Sequence, residues 1–158
     1  MTKLPTLGPR GEGWVALQMI LLAAIALAGT LGPAWDGTAR TFTVIAGVAL
    51  IATGGTMGLL GLRDLGANLT PLPYPRAEAR LVETGIYARV RHPIYGGLVL
   101  GSVGWGLATA SPIAVVLAVT LLVFFSLKAR REEAWLTIRF PDYPAYRKGT
   151  RAFIPFLI

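Results

Sequence analysis

The residues best suited to chemistry in this 158-residue chain surround its single histidine. His92 follows Arg91 and precedes Pro93, and a long apolar segment begins directly after them. Proline fits the first turn of a helix, because its φ is already helical and its missing N–H would have no partner there. The free N–H groups of a helix start attract anions, and the Arg91 guanidinium adds positive charge. The stretch therefore predicts an anion-binding helix start.

A second polar cluster lies downstream, where Glu132 and Glu133 follow a basic run that includes Lys128 and Arg131. Adjacent carboxylates in such a run most often form a solvated, salt-bridged helix surface. The chain has no cysteine, which excludes a thiolate metal site and a cysteine nucleophile. One histidine and few carboxylates also argue against a multi-histidine metal centre.

Composition places these polar residues in a membrane protein. Hydrophobic residues make up 54% of the chain and charged residues only 15%, with a mean hydropathy of +0.59. A soluble domain carries about 25% charged residues. The net charge of +7 is typical of nucleic-acid binding or of basic residues that flank membrane spans. The long apolar blocks favour the second interpretation, so membrane lipids rather than nucleic acid are the expected partners.

The apolar blocks predict an all-α membrane bundle of about four transmembrane helices in a single domain, residues 1–158. The predicted spans are residues 14–31, 42–62, 94–110 and 113–127. The last two are short and separated only by a tight break, so they predict an antiparallel hairpin. The first resembles a signal peptide, but its apolar run is longer than a usual signal core, so a retained helix is expected. Residues 128–158 form the predicted C-terminal segment, which begins as a continuation of the fourth helix.

The distribution of basic residues predicts the orientation. With both termini in the cytoplasm, Arg40 is the one basic residue on the outer side. This orientation places the polar loop, residues 63–92, on the same cytoplasmic face as the C-terminal segment. Gly54 and Gly58, like Gly97 and Gly101, have small-xxx-small spacing. Such glycine-rich faces suit helix packing within the chain and homodimer formation equally well.

An ordered set of motifs carries a family resemblance. The motifs are residues 81–87, residues 91–97, residues 132–136, residues 140–143 with Tyr146, and Ile154-Pro155. Over roughly residues 62–156 the chain resembles the isoprenylcysteine carboxyl methyltransferases, whose C-terminal half phospholipid methyltransferases largely share. Ser111-Pro112 and Phe140-Pro141 depart from the Asn-Pro and Phe-Gly that the family often has. These departures leave the methyl acceptor open between a prenylated protein, a phospholipid, a quinone-like lipid and a small hydrophobic thiol or amine.

The resemblance implies S-adenosylmethionine as cofactor, with a lipophilic or lipid-modified acceptor that arrives from the bilayer. The implied cofactor-binding residues are Leu81, Val82, Tyr87, His92, Pro93, Tyr95, Glu132 and Glu133. The implied catalytic residues are Arg91, His92 and Glu132, and Lys128 and Arg131 are the implied acceptor contacts. A sulfonium is already an activated electrophile, so methyl transfer needs alignment and desolvation more than acid–base groups or a metal.

Two other functions remain open from the sequence. Sterol-reductase-type membrane enzymes have a related C-terminal architecture and use NADPH. A non-catalytic module could use the basic face to bind anionic lipid headgroups. Cofactor binding distinguishes these alternatives from a methyltransferase.

Overall fold

The computed structural model describes residues 5–154, so Pro155 of the last motif lies outside the described residues. Within that range the chain is all-helical apart from loops and one isolated bridge between Val90 and Arg151. The helices are α1 (Glu12–Leu31), α2 (Ala39–Leu65), α3 (Pro93–Ala108), α4 (Pro112–Arg139) and α5 (Tyr143–Gly149). Short 3₁₀ turns cover Gly66–Asn68 and Gly85–Ala88.

Three helices, α1, α2 and α4, are long and apolar enough to cross a membrane. The helical membrane bundle expected from the apolar blocks is confirmed. The apolar helix α3 has 16 residues and extends about 24 Å, which is less than the roughly 30 Å of a hydrocarbon core. The count of four spans is therefore approximate, with α3 as the short member.

Helices α2 and α3 pack backbone to backbone through glycines. The contact glycines are Gly47, Gly54 and Gly61 on α2 and Gly97 and Gly104 on α3. A Cβ on Gly54 would lie 2.5 Å from the Gly97 carbonyl oxygen, and a Cβ on Gly97 would lie 2.5 Å from the Gly54 carbonyl oxygen. Gly54 and Gly97 are thus engaged within the chain, and the described structure does not support the homodimer that the glycine spacing also allowed.

Helix α4 packs against α1 and α3 and brings the acidic residues to the start of α3. Its Leu121 and Phe125 form the core with Ile25 of α1 and Val99 of α3. The helix runs without a break through the basic stretch and ends before Phe140, as predicted. Proline at position 141 cannot continue a helix. Since α1 packs on α3 and α4 while α2 packs on α3, a groove remains between α1 and α2.

The polar segment between α2 and α3 is irregular, and side chains hold it in place. Asn68 accepts a hydrogen bond from the Arg80 N–H at 2.8 Å, and Asp64 accepts one from the Ile86 N–H at 2.9 Å. Its end pairs with the C-terminal tail, since the His92 N–H donates to the Ala152 carbonyl at 2.9 Å. The end of α2, the polar loop and the C-terminal tail thereby meet beside the start of α3.

Candidate active site

The carboxylate of Glu133 gathers three side chains, two arginines and a histidine. Its oxygens lie 2.9 Å from Arg91 Nε, 3.2 Å from His92 Nε2 and 3.0 Å from Arg147 Nε. Because a carboxylate only accepts, His92 donates through Nε2–H. The sequence predicted an anion beside Arg91 and His92, and the anion present there is this buried carboxylate of the chain itself.

Arg91 also attaches α5 to the site. Its Nη1 donates to the carbonyl oxygens of Arg147 and Thr150, which satisfies C-terminal groups of α5 that have no helical partner. From the other side of α5, the Tyr146 hydroxyl donates to the Tyr87 carbonyl at 2.8 Å. The short helix α5 is thereby fixed over the loop that precedes α3.

Glu132 has different surroundings from its neighbour. Its side chain is 25% exposed, and its Oε2 accepts a 2.7 Å hydrogen bond from the Tyr95 hydroxyl. His92 Nδ1 lies 4.0 Å from the same oxygen. The Tyr95 ring is stacked between the rings of His92 and Phe125, with centroid distances of 5.3 Å and 4.6 Å. Stacking on both faces fixes the hydroxyl that orients Glu132.

A first cavity of about 90 Å³ lies between the polar loop, α4 and α5. Its apolar wall includes Leu81, Val82 and Leu136, and its polar lining includes Asn68, Arg80, Arg91, Glu132 and the hydroxyl-bearing rings of Tyr87, Tyr143 and Tyr146. The buried Tyr143 hydroxyl has no hydrogen-bond partner among the described residues. Burial raises the pKa of this hydroxyl well above its usual range, and the Glu133 and Glu132 carboxylates act in the same direction. Tyr143 therefore remains a neutral donor.

A second cavity of about 320 Å³ adjoins the first and extends toward the membrane helices. Its apolar lining includes Leu62, Ile94 and Leu98, and its cation is the buried Lys128. Lys128 Nζ donates to Gln18 Oε1 at 2.6 Å and to the Pro71 carbonyl at 3.1 Å. It also lies 5.1 Å from the centre of the Tyr95 ring.

The two cavities meet at shared residues. The residues that line both are Leu65, Thr70, Tyr87, Arg91 and Glu132. A molecule in the polar cavity and one in the apolar cavity would therefore contact the same carboxylate and the same tyrosine ring. This arrangement suits a reaction between a polar and a lipophilic reactant.

The structure divides the residues predicted for the site. Those that line at least one cavity are Leu81, Val82, Tyr87, Arg91, His92, Tyr95, Lys128 and Glu132. Pro93 is buried in the first turn of α3. Glu133 is enclosed by Arg91, His92 and Arg147, and the Arg131 guanidinium lies 4.3 Å from the centre of the Trp135 ring. These three line neither cavity.

Sequence reasoning assigned no role to several residues that line the cavities. These are Gln18, Asn68, Arg80, Tyr143 and Tyr146. Gln18 carried a usable signal, because an amide within an apolar span is costly and marks a functional or packing site. Asn68 and Arg80 lie in a loop where polar residues are expected, so nothing in the sequence distinguished them.

Comparison with known proteins places the chain in a family. The family model described as phospholipid methyltransferase matches residues 42–142, which is more than half of the chain. The chain belongs to this family. The matched residues include His92, Glu132 and most of the residues that line the two cavities. The family resemblance drawn from the motifs is confirmed.

Three curated relatives show the range of proteins that this phospholipid methyltransferase family member is similar to. The cobalt-zinc-cadmium resistance protein CzcN of Cupriavidus metallidurans is 32% identical over 127 residues, which are 78% of this chain and 54% of that protein. The nickel-cobalt-cadmium resistance protein NccN of Alcaligenes xylosoxydans xylosoxydans is 36% identical over 83 residues, 52% of this chain and 39% of that protein.

Protein-S-isoprenylcysteine O-methyltransferase B of Arabidopsis thaliana is 30% identical over 115 residues, 70% of this chain and 58% of that protein. The chain thus spans less than two thirds of the length of each of these relatives.

Proposed function

We propose that this chain transfers a methyl group from S-adenosylmethionine to the carboxylate of a lipophilic acceptor at the cytoplasmic face of the membrane. The observation that carries the proposal is the meeting of a polar, aromatic cavity with an apolar cavity at Tyr87, Arg91 and Glu132. The isoprenylcysteine O-methyltransferases among the relatives support this reaction class.

The first cavity fits the cofactor by its donor set. Leu81 and Val82 offer an apolar wall for the adenine, and the Glu132 carboxylate can accept from hydroxyl or ammonium groups. The unpaired Tyr143 hydroxyl supplies a buried donor, and the neutral tyrosine rings suit a sulfonium cation. When bound, S-adenosylmethionine supplies an activated methyl group.

Lys128 favours an anionic acceptor. Its ammonium group lies in a cavity with mostly apolar walls, where a charge interacts more strongly than in water. A carboxylate is ionised at neutral pH and needs no base before it attacks the methyl group. An ammonium acceptor would be repelled by Lys128 and would first have to lose a proton.

The proposed reaction is tested by binding and transfer measurements on the detergent-purified protein. Calorimetric titration is expected to show saturable binding of S-adenosylmethionine and S-adenosylhomocysteine but not of NADPH. Labelled methyl is then expected to reach N-acetyl-S-farnesylcysteine and not phosphatidylethanolamine in vesicles. Binding of NADPH alone would indicate a reductase, and no binding at all would favour a lipid-binding module. Transfer to the amine alone would contradict the carboxylate assignment.

The substitution Lys128→Met tests the role of the buried cation. Hydrogen bonds to a charged group contribute about 1.5–3 kcal/mol, so kcat/KM for the farnesylcysteine acceptor is expected to fall about 10- to 100-fold. The Kd for S-adenosylmethionine should stay within about twofold of the wild type. Lys148→Met is the matched control, because Lys148 is exposed on α5 and lines neither cavity. Equal effects of the two substitutions would refute the acceptor role of Lys128.

A further inference from the structure

An apolar groove of about 730 Å³ runs between α1 and α2, with α3 as its floor. Its walls include Leu22, Ile25 and Ala26 of α1 and Ile51, Leu59 and Leu62 of α2. Three of its lining residues, Leu62, Ile94 and Leu98, also line the cavity that holds Lys128. The groove is therefore continuous with the proposed acceptor site.

The groove has the depth of one membrane leaflet. From Ile94 to Trp105 the floor helix rises about 16 Å, which is close to half of the roughly 30 Å hydrocarbon core. At its far end the Trp105 indole meets α1 at Gly29, where an added Cβ would overlap the indole nitrogen. Helix α1 and the indole thus close the end of the groove that lies away from the site.

At three glycines in the groove, close packing does not exclude a side chain. Among the described residues, a Cβ built on Gly55, Gly58 or Gly101 meets no atom within 4 Å, whereas a Cβ on Gly54 or Gly97 meets the opposite backbone. Glycine is about 1 kcal/mol less favourable than alanine in a helix interior. Because these three positions line the groove, any larger side chain there would extend into space that is now empty.

We propose that the groove holds the single hydrocarbon chain of the methyl acceptor, with its carboxylate directed toward Lys128. The three glycines set the width that this chain needs, and Trp105 limits its length. This inference rests on the proposed function, because it assumes that the cavity beside Lys128 receives the acceptor. The inferred acceptor has one hydrocarbon chain, about as long as one membrane leaflet is deep.

The inference is tested with a series of N-acetyl-cysteines that carry S-geranyl, S-farnesyl or S-geranylgeranyl chains. Burial contributes about 0.8 kcal/mol per methylene, so displacement of a few methylenes by Gly58→Leu should lower kcat/KM for the farnesyl acceptor at least tenfold. The geranyl acceptor should lose less. The Kd for S-adenosylmethionine should be unchanged, which shows that the variant is folded. Ala49→Leu adds the same side chain to an exposed position of α2 outside the groove and serves as the control.

A second variant acts in the opposite direction. Trp105→Ala removes the end of the groove, so the ratio of kcat/KM for geranylgeranyl to farnesyl acceptors should rise above the wild-type value. If Gly58→Leu and Ala49→Leu had the same relative kcat/KM for the three acceptors, the groove assignment would be overturned. That result would indicate that a bulk membrane lipid occupies the groove instead of the acceptor chain. If the wild type methylates no member of the series, the proposed function fails and the inference falls with it.

Discussion

At the scale of single residues, Glu132 and Glu133 show how adjacent identical side chains take different roles. Consecutive residues of a helix project about 100° apart, so the two carboxylates enter different environments. Glu133 is enclosed by Arg91, His92 and Arg147, whereas Glu132 is oriented by Tyr95 and lines both cavities. The sequence-based assignment of both to the cofactor remains a prediction, and the geometry favours Glu132 for it.

Substitution of each acid by glutamine separates the two roles. Glu132→Gln is expected to raise the Kd for S-adenosylmethionine about tenfold or more, with a thermal midpoint near that of the wild type. Glu133→Gln removes the negative charge that pairs with the buried Arg91 guanidinium. Breaking a buried ion pair costs about 3–5 kcal/mol, so the midpoint of this variant should drop clearly. Calorimetry and thermal unfolding in detergent measure the two effects. A stable Glu133→Gln protein with lost cofactor binding would reverse the assignment.

At the scale of helices, the approach of α2 and α3 determines the geometry of the site. The glycines at the contact let the backbones touch, which sets the position of the α3 start relative to the end of α2. Gly61, near that end, faces Pro93 and Ile94, and its carbonyl accepts a hydrogen bond from the Tyr87 hydroxyl at 3.3 Å. A shift of this helix pair would therefore move Tyr87 and His92 together.

Two adjacent glycines of α2 provide a matched test of this packing. Gly54→Ala places a methyl group 2.5 Å from the Gly97 carbonyl oxygen, and overpacking of this kind costs about 1–3 kcal/mol. Gly55→Ala makes the same change at a position where no atom of residues 5–154 lies within 4 Å of the added methyl group. The thermal midpoint should fall for Gly54→Ala and stay equal or rise for Gly55→Ala. A similar fall in both variants would mean that helix propensity in detergent, and not interhelical contact, governs stability at these positions.

At the scale of the whole molecule, the polar groups of both cavities lie at one end of the bundle, and Arg40 lies at the other. The cytoplasmic location of both termini and of the site is a proposal that follows from the distribution of basic residues. The groove between α1 and α2 then opens within the cytoplasmic leaflet and leads to the site from that side.

Because the chain lacks cysteine, single cysteines report this orientation directly. Thr38→Cys lies before α2 and Lys148→Cys lies in α5, both at exposed positions. In sealed right-side-out vesicles, a membrane-impermeant maleimide should label Thr38→Cys and not Lys148→Cys, and inverted vesicles should give the opposite result. The reverse pattern would place the site on the outer face.

The sequence by itself determined the class of the molecule and much of its linear plan. Apolar blocks, prolines and glycines act locally, so they predicted the four long helices to within a few residues, the start of α3 at Pro93 and the long extension of α4, but not the short helix α5. The ordered motifs identified the family, because they combine several residue types over much of the chain.

Only the tertiary structure decided which polar groups meet. The pairing of Glu133 with Arg91 and Arg147, the contact of Lys128 with Gln18 and the unpaired Tyr143 hydroxyl depend on how the helices are rotated and aligned. Helix rotation also decides the roles of the glycines. They look alike in sequence, but some contact the backbone of a neighbouring helix and others line a groove. Rotation and register arise from side-chain packing between remote segments, and such packing leaves no periodic signal within any one segment.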